Sequence, residues 1–309
     1  MMNTWKDQFK FPPNTEIVGK WHNNDYRLMK QLGEGANGVV YLATGTHGYS
    51  ALKMSPDSFS ITSEVNVLKA FAKAQGTSLG PSLYDVDDWE TKGNKIHFYA
   101  MEYIQGPDLL SFIKRKGHSW SGVMIVQLLD VLERLHNQGW VFGDLKPENL
   151  IVTGSPPKIR CIDVGGTTLK GRAIKEFTEF FDRGYWGLGS RKAESSYDIF
   201  STAMLLINLF YQDRFTKKNH PYKQLMGVIR SNKELVKYEI PLKRAIKGEY
   251  NNAKEMKDEL LAILSMRPSN LARTNQIQRK KKQGNFLETA ALLIFTAFLY
   301  AFYIFTYIL

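Results

Sequence analysis

The run Gly143-Asp144-Leu145-Lys146-Pro147-Glu148-Asn149 sets a carboxylate, an ammonium and an amide at fixed offsets on one stretch of chain. The carboxylate can accept a hydroxyl proton, the ammonium can steady a phosphate, and the amide oxygen can ligate a hard cation. A second carboxylate follows 19 residues later in Asp163-Val164-Gly165. Two oxygen ligands from separate loops suit a cation that favours carboxylate, phosphate and water oxygens. Far upstream, Gly33-Glu34-Gly35-Ala36-Asn37-Gly38-Val39-Val40 has the spacing Gly-x-Gly-x-x-Gly-x-Val, in which glycines let backbone amides come close to phosphate oxygens. Taken singly these patterns are ordinary. A glycine hairpin is a common turn, Asp-x-Gly a common bend, Lys53 of Ala51-Leu52-Lys53 an exposed strand lysine, and Glu64 a solvated helix residue.

Such residues need elements to position them. Residues 26–32 and 39–43 read as strands on either side of the glycine turn, and 50–54 as a third strand. A strand stands where a dinucleotide-binding unit would begin a helix, which argues against dinucleotide binding. Ile61, Val65, Leu68 and Ala72 share a helical face, so a helix is predicted over 61–74 with Ser60 or Thr62 as its cap, carrying Glu64. Strands over 83–86 and 96–103 complete a small sheet. From Leu109 onward the pattern is mostly helical, at 109–114, 121–139, 198–211 and 253–264, with short strands over 150–152 and 159–162 around a Gly-Ser-Pro-Pro turn. A sheet-rich half followed by a helix-rich half is an α+β pattern. Met101-Glu102-Tyr103-Ile104-Gln105-Gly106 lies at their junction, where ligand clefts tend to form.

At 309 residues and 43% apolar, the chain can bury a substantial core in about two domains or lobes. A single cysteine, Cys161, excludes an intramolecular disulfide and a thiolate zinc cluster and points to a reducing compartment. Residues 1–24 lack the apolar core and cleavage site of a signal peptide. Residues 289–309 are 21 consecutive uncharged positions, with Tyr300, Tyr303 and Tyr307 toward the far end. At about 1.5 Å per residue this covers roughly 30 Å of hydrocarbon, and a buried helix of a soluble domain is the alternative. The cluster Arg279-Lys280-Lys281-Lys282 before it places the upstream chain on the cytoplasmic side. Net charge is +11, and residues 214–282 hold 18 Lys/Arg against 6 Asp/Glu, a local +12. That stretch can meet DNA phosphates, anionic lipid head groups, or solvent alone. With no helix-turn-helix or zinc module in view, any DNA binding would be sequence-independent.

In order and spacing, the motifs over about 26–268 resemble those of Hanks-type Ser/Thr protein kinases. The resemblance implies a bilobal α+β fold with a small β-rich N-lobe (about 26–104) and a helical C-lobe (about 105–268). An N-terminal extension (1–25) would precede it, and a basic juxtamembrane segment (269–286) and one C-terminal transmembrane helix (287–309) would follow. It implies ATP and Mg2+ as cofactors and protein hydroxyls as acceptors. Gly33, Glu34, Gly35, Gly38 and Val40 would cover the nucleotide, Lys53 would hold its α and β phosphates, and Glu64 would orient Lys53. Backbone groups around Glu102 and Ile104 would receive the adenine edge. Asp144 would take the hydroxyl proton, Lys146 stabilise the moving phosphoryl, Asn149 and Asp163 bind Mg2+, and Asp198 tether the catalytic loop. The layout is also similar to the membrane-anchored sporulation kinases of Bacillus. That implies a single-pass protein of the cell membrane with its kinase domain facing the cytoplasm, DNA or anionic lipid as partners of the basic stretch, and self-association.

Three departures from the family stand out. Phe142-Gly143 occupies the place of His-Arg, Val164 that of the Asp-Phe-Gly aromatic, and no Ala-Pro-Glu precedes Asp198. A large Phe142 facing a small Val164 reads as a compensated apolar pair. Without the arginine, activity is expected not to depend on a loop phosphate. The stretch 184–189 stands where Ala-Pro-Glu would, so its ion pair to a late arginine, for which Arg267 is the candidate, is expected to be absent. Lys53, Asp144, Asn149 and Asp163 are all retained, which favours an active enzyme. The competing reading is a catalytically weak or dead pseudokinase acting as a membrane-tethered nucleic-acid-binding scaffold. Thr167, Thr168 and Thr178 are candidate autophosphorylation sites.

Overall fold

Ten strands and eight helices are described in a computed structural model that covers residues 9–35, 38–73, 80–91 and 93–266. Residues Met1–Leu261 form one unit, and most of the second, Ala262–Leu309, lies outside the described residues. Strands β1 (Glu16–Val18), β2 (Asp25–Glu34), β3 (Val39–Gly45) and β4 (Gly48–Ser55) run antiparallel in chain order. Helix α1 (Ser58–Lys73) then crosses before β5 (Leu83–Thr91) and β6 (Asn94–Glu102), giving the sheet order β1-β2-β3-β4-β6-β5. One sheet face is closed by Ile17, Leu28, Val39, Leu52, Met54 and Phe98, alternate residues as the two-residue pleat requires.

The stretch expected as an N-terminal extension is part of this lobe. Its β1 is an edge strand, Phe9 and Ile17 are buried in the core, and Tyr41 donates its hydroxyl to the Phe9 carbonyl at 2.7 Å. Helix α1 begins three residues earlier than predicted. Its cap is Asp57, which accepts from the amides of Phe59 (3.0 Å) and Ser60 (3.1 Å), not Ser60 or Thr62. The buried residue at its far end is Phe71, while Ala72 is exposed.

After Glu102 the chain turns helical. Asp108 caps α2 (Leu109–Lys116), and α3 (Ser119–Asn137) packs on α5 (Ser195–Phe210). Between α3 and α5 lie the short strands β7 (Trp140–Val141), β8 (Leu150–Thr153), β9 (Lys158–Cys161) and β10 (Thr168–Leu169), and the one-turn helix α4 (Arg183–Trp186). Helix α5 is apolar and buried around most of its circumference, with α7 (Glu239–Lys247) against it and α6 (Pro221–Ser231) against α7. A final helix, α8 (Ala253–Ser265), is tied to α7 where Arg244 meets Glu259 at 2.9 Å. Among the described residues no helix is long and apolar enough to cross a membrane. The expected basic segment (269–286), the expected span (287–309) and Arg267 lie outside the described residues.

Candidate active site

The register of two strands sets up the first half of the site. Lys53 on β4 stands opposite Tyr99 on β6, and both side chains reach Glu64 of α1. Lys53 Nζ donates to Glu64 Oε1 at 2.7 Å and Oε2 at 2.6 Å, and the Tyr99 hydroxyl donates to Oε2 at 2.6 Å. All three are buried. Burial works against the Lys53 charge, but the facing Glu64, with Asp163 behind it, outweighs burial and holds the ammonium above its ordinary value.

Below the sheet opens a cleft of about 260 Å³. One end is apolar, lined by Leu32, Val40, Ala51, Met101, Ile104 and Ile162; the other carries Lys53, Asn149, Asp163 and Glu176. Gly33, Glu34, Gly35 and Gly38 also line it, while Ala36 and Asn37 lie outside the described residues. A Cβ on Gly33 or Gly35 would meet nothing within 4 Å, so their bareness leaves open space over the cleft. Gly38 is different, since a Cβ there would come within 2.4 Å of the Met54 carbonyl oxygen. An apolar lining, glycine amides without side chains beside it, and an ammonium with oxygen ligands in the same cleft fit a magnesium nucleotide.

The loop after β7 sets up the second half. Asn149 Nδ2 donates to the Asp144 carbonyl at 2.9 Å, and Lys146 Nζ meets Asp144 Oδ2 at 2.5 Å. Asp144 Oδ1 accepts from the Thr178 hydroxyl at 2.8 Å. The loop backbone hangs on Asp198, which accepts from the Phe142 amide (2.7 Å), the Gly143 amide (3.0 Å) and His136 Nε2 (2.8 Å). Asp198 therefore tethers the loop, as the resemblance implies, while the capping position of α5 is Glu194. Phe142 and Val164 are both buried.

Several participants were not legible in the motifs. Arg160 of β9 grips the Glu102 carboxylate with two parallel bonds of 2.9 Å, joining the strand-to-linker junction to the helical lobe. That grip holds the Glu102 carboxyl below its ordinary range. Arg160 shows only as a charge in a short strand until β9 is placed beside the junction. In the segment before α5, buried Asp182 gathers its neighbours. It accepts from the Gly184 (3.0 Å) and Tyr185 (2.8 Å) amides, the Tyr197 hydroxyl (2.9 Å) and Arg191 (2.7 Å), while Arg183 pairs with Glu194 at 2.5 Å. Of the candidate modification sites, Thr167 and Thr168 are buried around β10, and Thr178 donates to the Asp144 carboxylate.

Residues 26–281 match the family described as Protein kinase domain, and the chain belongs to the protein kinase family. Within that family it is a Hanks-type Ser/Thr protein kinase resembling serine/threonine-protein kinase YabT of Bacillus subtilis (strain 168). The two are 54% identical over 287 residues, covering 90% of this chain and 85% of that protein. Among solved structures, vaccinia related kinase 3 superposes with TM-score 0.61 at 17% identity, covering 82% of this chain and 91% of that one. The Mycobacterium tuberculosis PknI kinase domain does so with TM-score 0.57 at 18% identity, covering 83% of this chain and all 100% of that one. At such identities these two bear on the fold, a β-rich lobe and a helical lobe with the cleft between them.

Proposed function

We propose that this chain transfers the γ-phosphoryl group of Mg2+-ATP to Ser/Thr hydroxyls of proteins, with Asp144, Lys146, Asn149, Asp163, Lys53 and Glu64 as its working residues. The observation that carries this reading is the closed Lys53–Glu64 pair facing Asp163 and Asn149 in one cleft. When bound, Mg2+-ATP supplies the phosphoryl group and a cation that spreads its charge. Lys53, held by Glu64 and Tyr99, presents its ammonium to phosphate oxygens without having to be ordered first. Asn149 and Asp163 offer the cation its oxygen ligands, and the Met101–Ile104 stretch receives the base. Asp144 accepts the proton of the acceptor hydroxyl, and its carboxylate is oriented by the Thr178 hydroxyl on Oδ1 and by Lys146 on Oδ2. The retained ion pair speaks against a dead scaffold.

The assignment is tested by transfer of radiolabelled phosphate to a generic protein acceptor. Asp144→Asn and Lys53→Ala are each expected to lower kcat/KM by about 10²-fold or more; label incorporation equal to wild type in both would remove these residues from the mechanism.

The uncharged stretch 289–309, behind the basic cluster 279–282, supports a single-pass anchor in the cell membrane with the kinase domain on the cytoplasmic side. The +12 stretch 214–282 supports contact with anionic lipid or with DNA in a sequence-independent way. Self-association at the membrane would let one copy phosphorylate another. Its check is label transfer from an active copy to a tagged Asp144→Asn copy in the same vesicle; no transfer would exclude it.

A further inference from the structure

Glu176 belongs to none of the motifs that lead to the cleft, yet it enters it. It lies on the segment between Asp163 and α5 and lines the same polar end as Lys53, Asn149 and Asp163. The segment is fastened on both sides of it. Lys175 Nζ donates to Ser63 Oγ of α1 at 2.9 Å, and Thr178 donates to Asp144 at 2.8 Å. With Lys175 held by α1 and Thr178 by the loop after β7, the stretch that carries Glu176 is fixed from both lobes.

Its surroundings are already rich in negative charge. The point a Cβ would occupy on Gly165 is 3.3 Å from Asp163 Oδ1, 3.4 Å from Glu64 Oε1 and 3.7 Å from Glu176 Oε1. Burial, and then the charge of Asp163, push the Glu176 carboxyl above its ordinary value, with Lys53 pulling the other way. Lys53 in turn feels both Asp163 and Glu176. Like charges in a partly buried cleft repel far more strongly than in water. A nucleotide entering with bare phosphates meets that repulsion, offset in part by the Lys53 ammonium. One whose phosphates carry a divalent cation meets much less of it.

We propose that Glu176 is a specificity residue of the nucleotide cleft, whose carboxylate turns away nucleotide lacking a divalent cation and so sets the preference for the magnesium complex. The inference rests on the cleft being the nucleotide site. It needs no bond from Glu176 to the cation, and it separates Glu176 from Asn149 and Asp163, which are placed as ligands.

The test is calorimetric binding of a non-hydrolysable ATP analogue to the full chain, once with Mg2+ and once with EDTA, for wild type, Glu176→Gln and Glu176→Asp. Glu176→Gln is expected to tighten binding of the metal-free analogue several-fold and of the magnesium form much less, so that the ratio of the two affinities contracts. Glu176→Asp, which keeps the charge, is expected to stay close to the wild-type ratio. Weaker binding of the magnesium form alone in Glu176→Gln would make the residue a cation ligand and overturn the proposal. An unchanged ratio would overturn it too. Failure of wild type to bind either form would instead overturn the nucleotide reading of the cleft.

Discussion

Gly143 shows how a departure from the family can be a requirement of the local fold. Its backbone stands at φ +83°, and a Cβ there would approach the Gly166 carbonyl oxygen to 2.7 Å. A side chain must therefore move one of two loops that both carry active-site residues. Restoring the family residue with Gly143→Arg is expected to destabilise the protein by about 1–3 kcal/mol and to lower, not raise, transfer activity; urea unfolding together with the label assay measures both. Thr178→Val removes the donor on Asp144 and is expected to lower kcat while leaving nucleotide affinity unchanged, read by comparing initial rates with calorimetric binding. The Arg160 grip on Glu102 carries a pH signature. Hydrogen bonding from Arg160 lowers the folded Glu102 value below the ordinary 4.5, so its stabilisation is present above that ordinary value and is lost as pH falls through the folded one. Arg160→Met is thus expected to melt below wild type at neutral pH, with the gap closing on acidification; a pH-independent gap in melting temperature would refute the linkage.

At the scale of elements, the part of the segment between Asp163 and α5 that precedes α5 is held by polar bonds within the helical lobe, centred on Asp182. Asp182 is fully buried, caps α4 and also receives Arg191 and Tyr197. Asp182→Ala leaves two amides, a guanidinium and a phenol without their acceptor. The expected loss is about 2–4 kcal/mol of unfolding free energy, since two capping amides and the buried Tyr197 hydroxyl lose their acceptor while the half-exposed Arg191 can turn to water. Guanidinium unfolding gives the number, and a loss near zero would mean that solvent replaces the carboxylate. The cores of the strands and long helices were legible in the sequence because alternation and 3.6-residue spacing are local signals: Ile61, Val65 and Leu68 sit on the buried face of α1 as their spacing requires. The cap at Asp57, the burial of Phe71 in place of Ala72, and edge strand β1 were not. Each depends on what the sheet places nearby, and a three-residue strand has too few positions to show a period.

For the whole molecule, charge and apolarity are unevenly spread along the chain, and that unevenness makes a prediction independent of the catalytic chemistry. If residues 289–309 cross a bilayer, release of the full chain from membranes requires detergent, and high salt leaves it bound. A chain ending before Leu287 is expected to retain only binding that salt removes, because the remaining +12 stretch acts through screened charge. Sedimentation with and without salt separates the cases, and full-chain release by salt alone would exclude the span. Residue types at short, fixed separations were enough to order the motifs, to single out Lys53, Asp144, Asn149 and Asp163, and to read the two-part β-then-α layout. The packed fold added that Tyr99 stands across from Lys53, that Arg160 closes on Glu102, that Asp182 gathers Arg191 and Tyr197, and that Glu176 lines the cleft with Lys53, Asn149 and Asp163. The physical reason is the same in each case: these contacts join residues brought together by strand register and lobe packing, which no periodicity along the chain records.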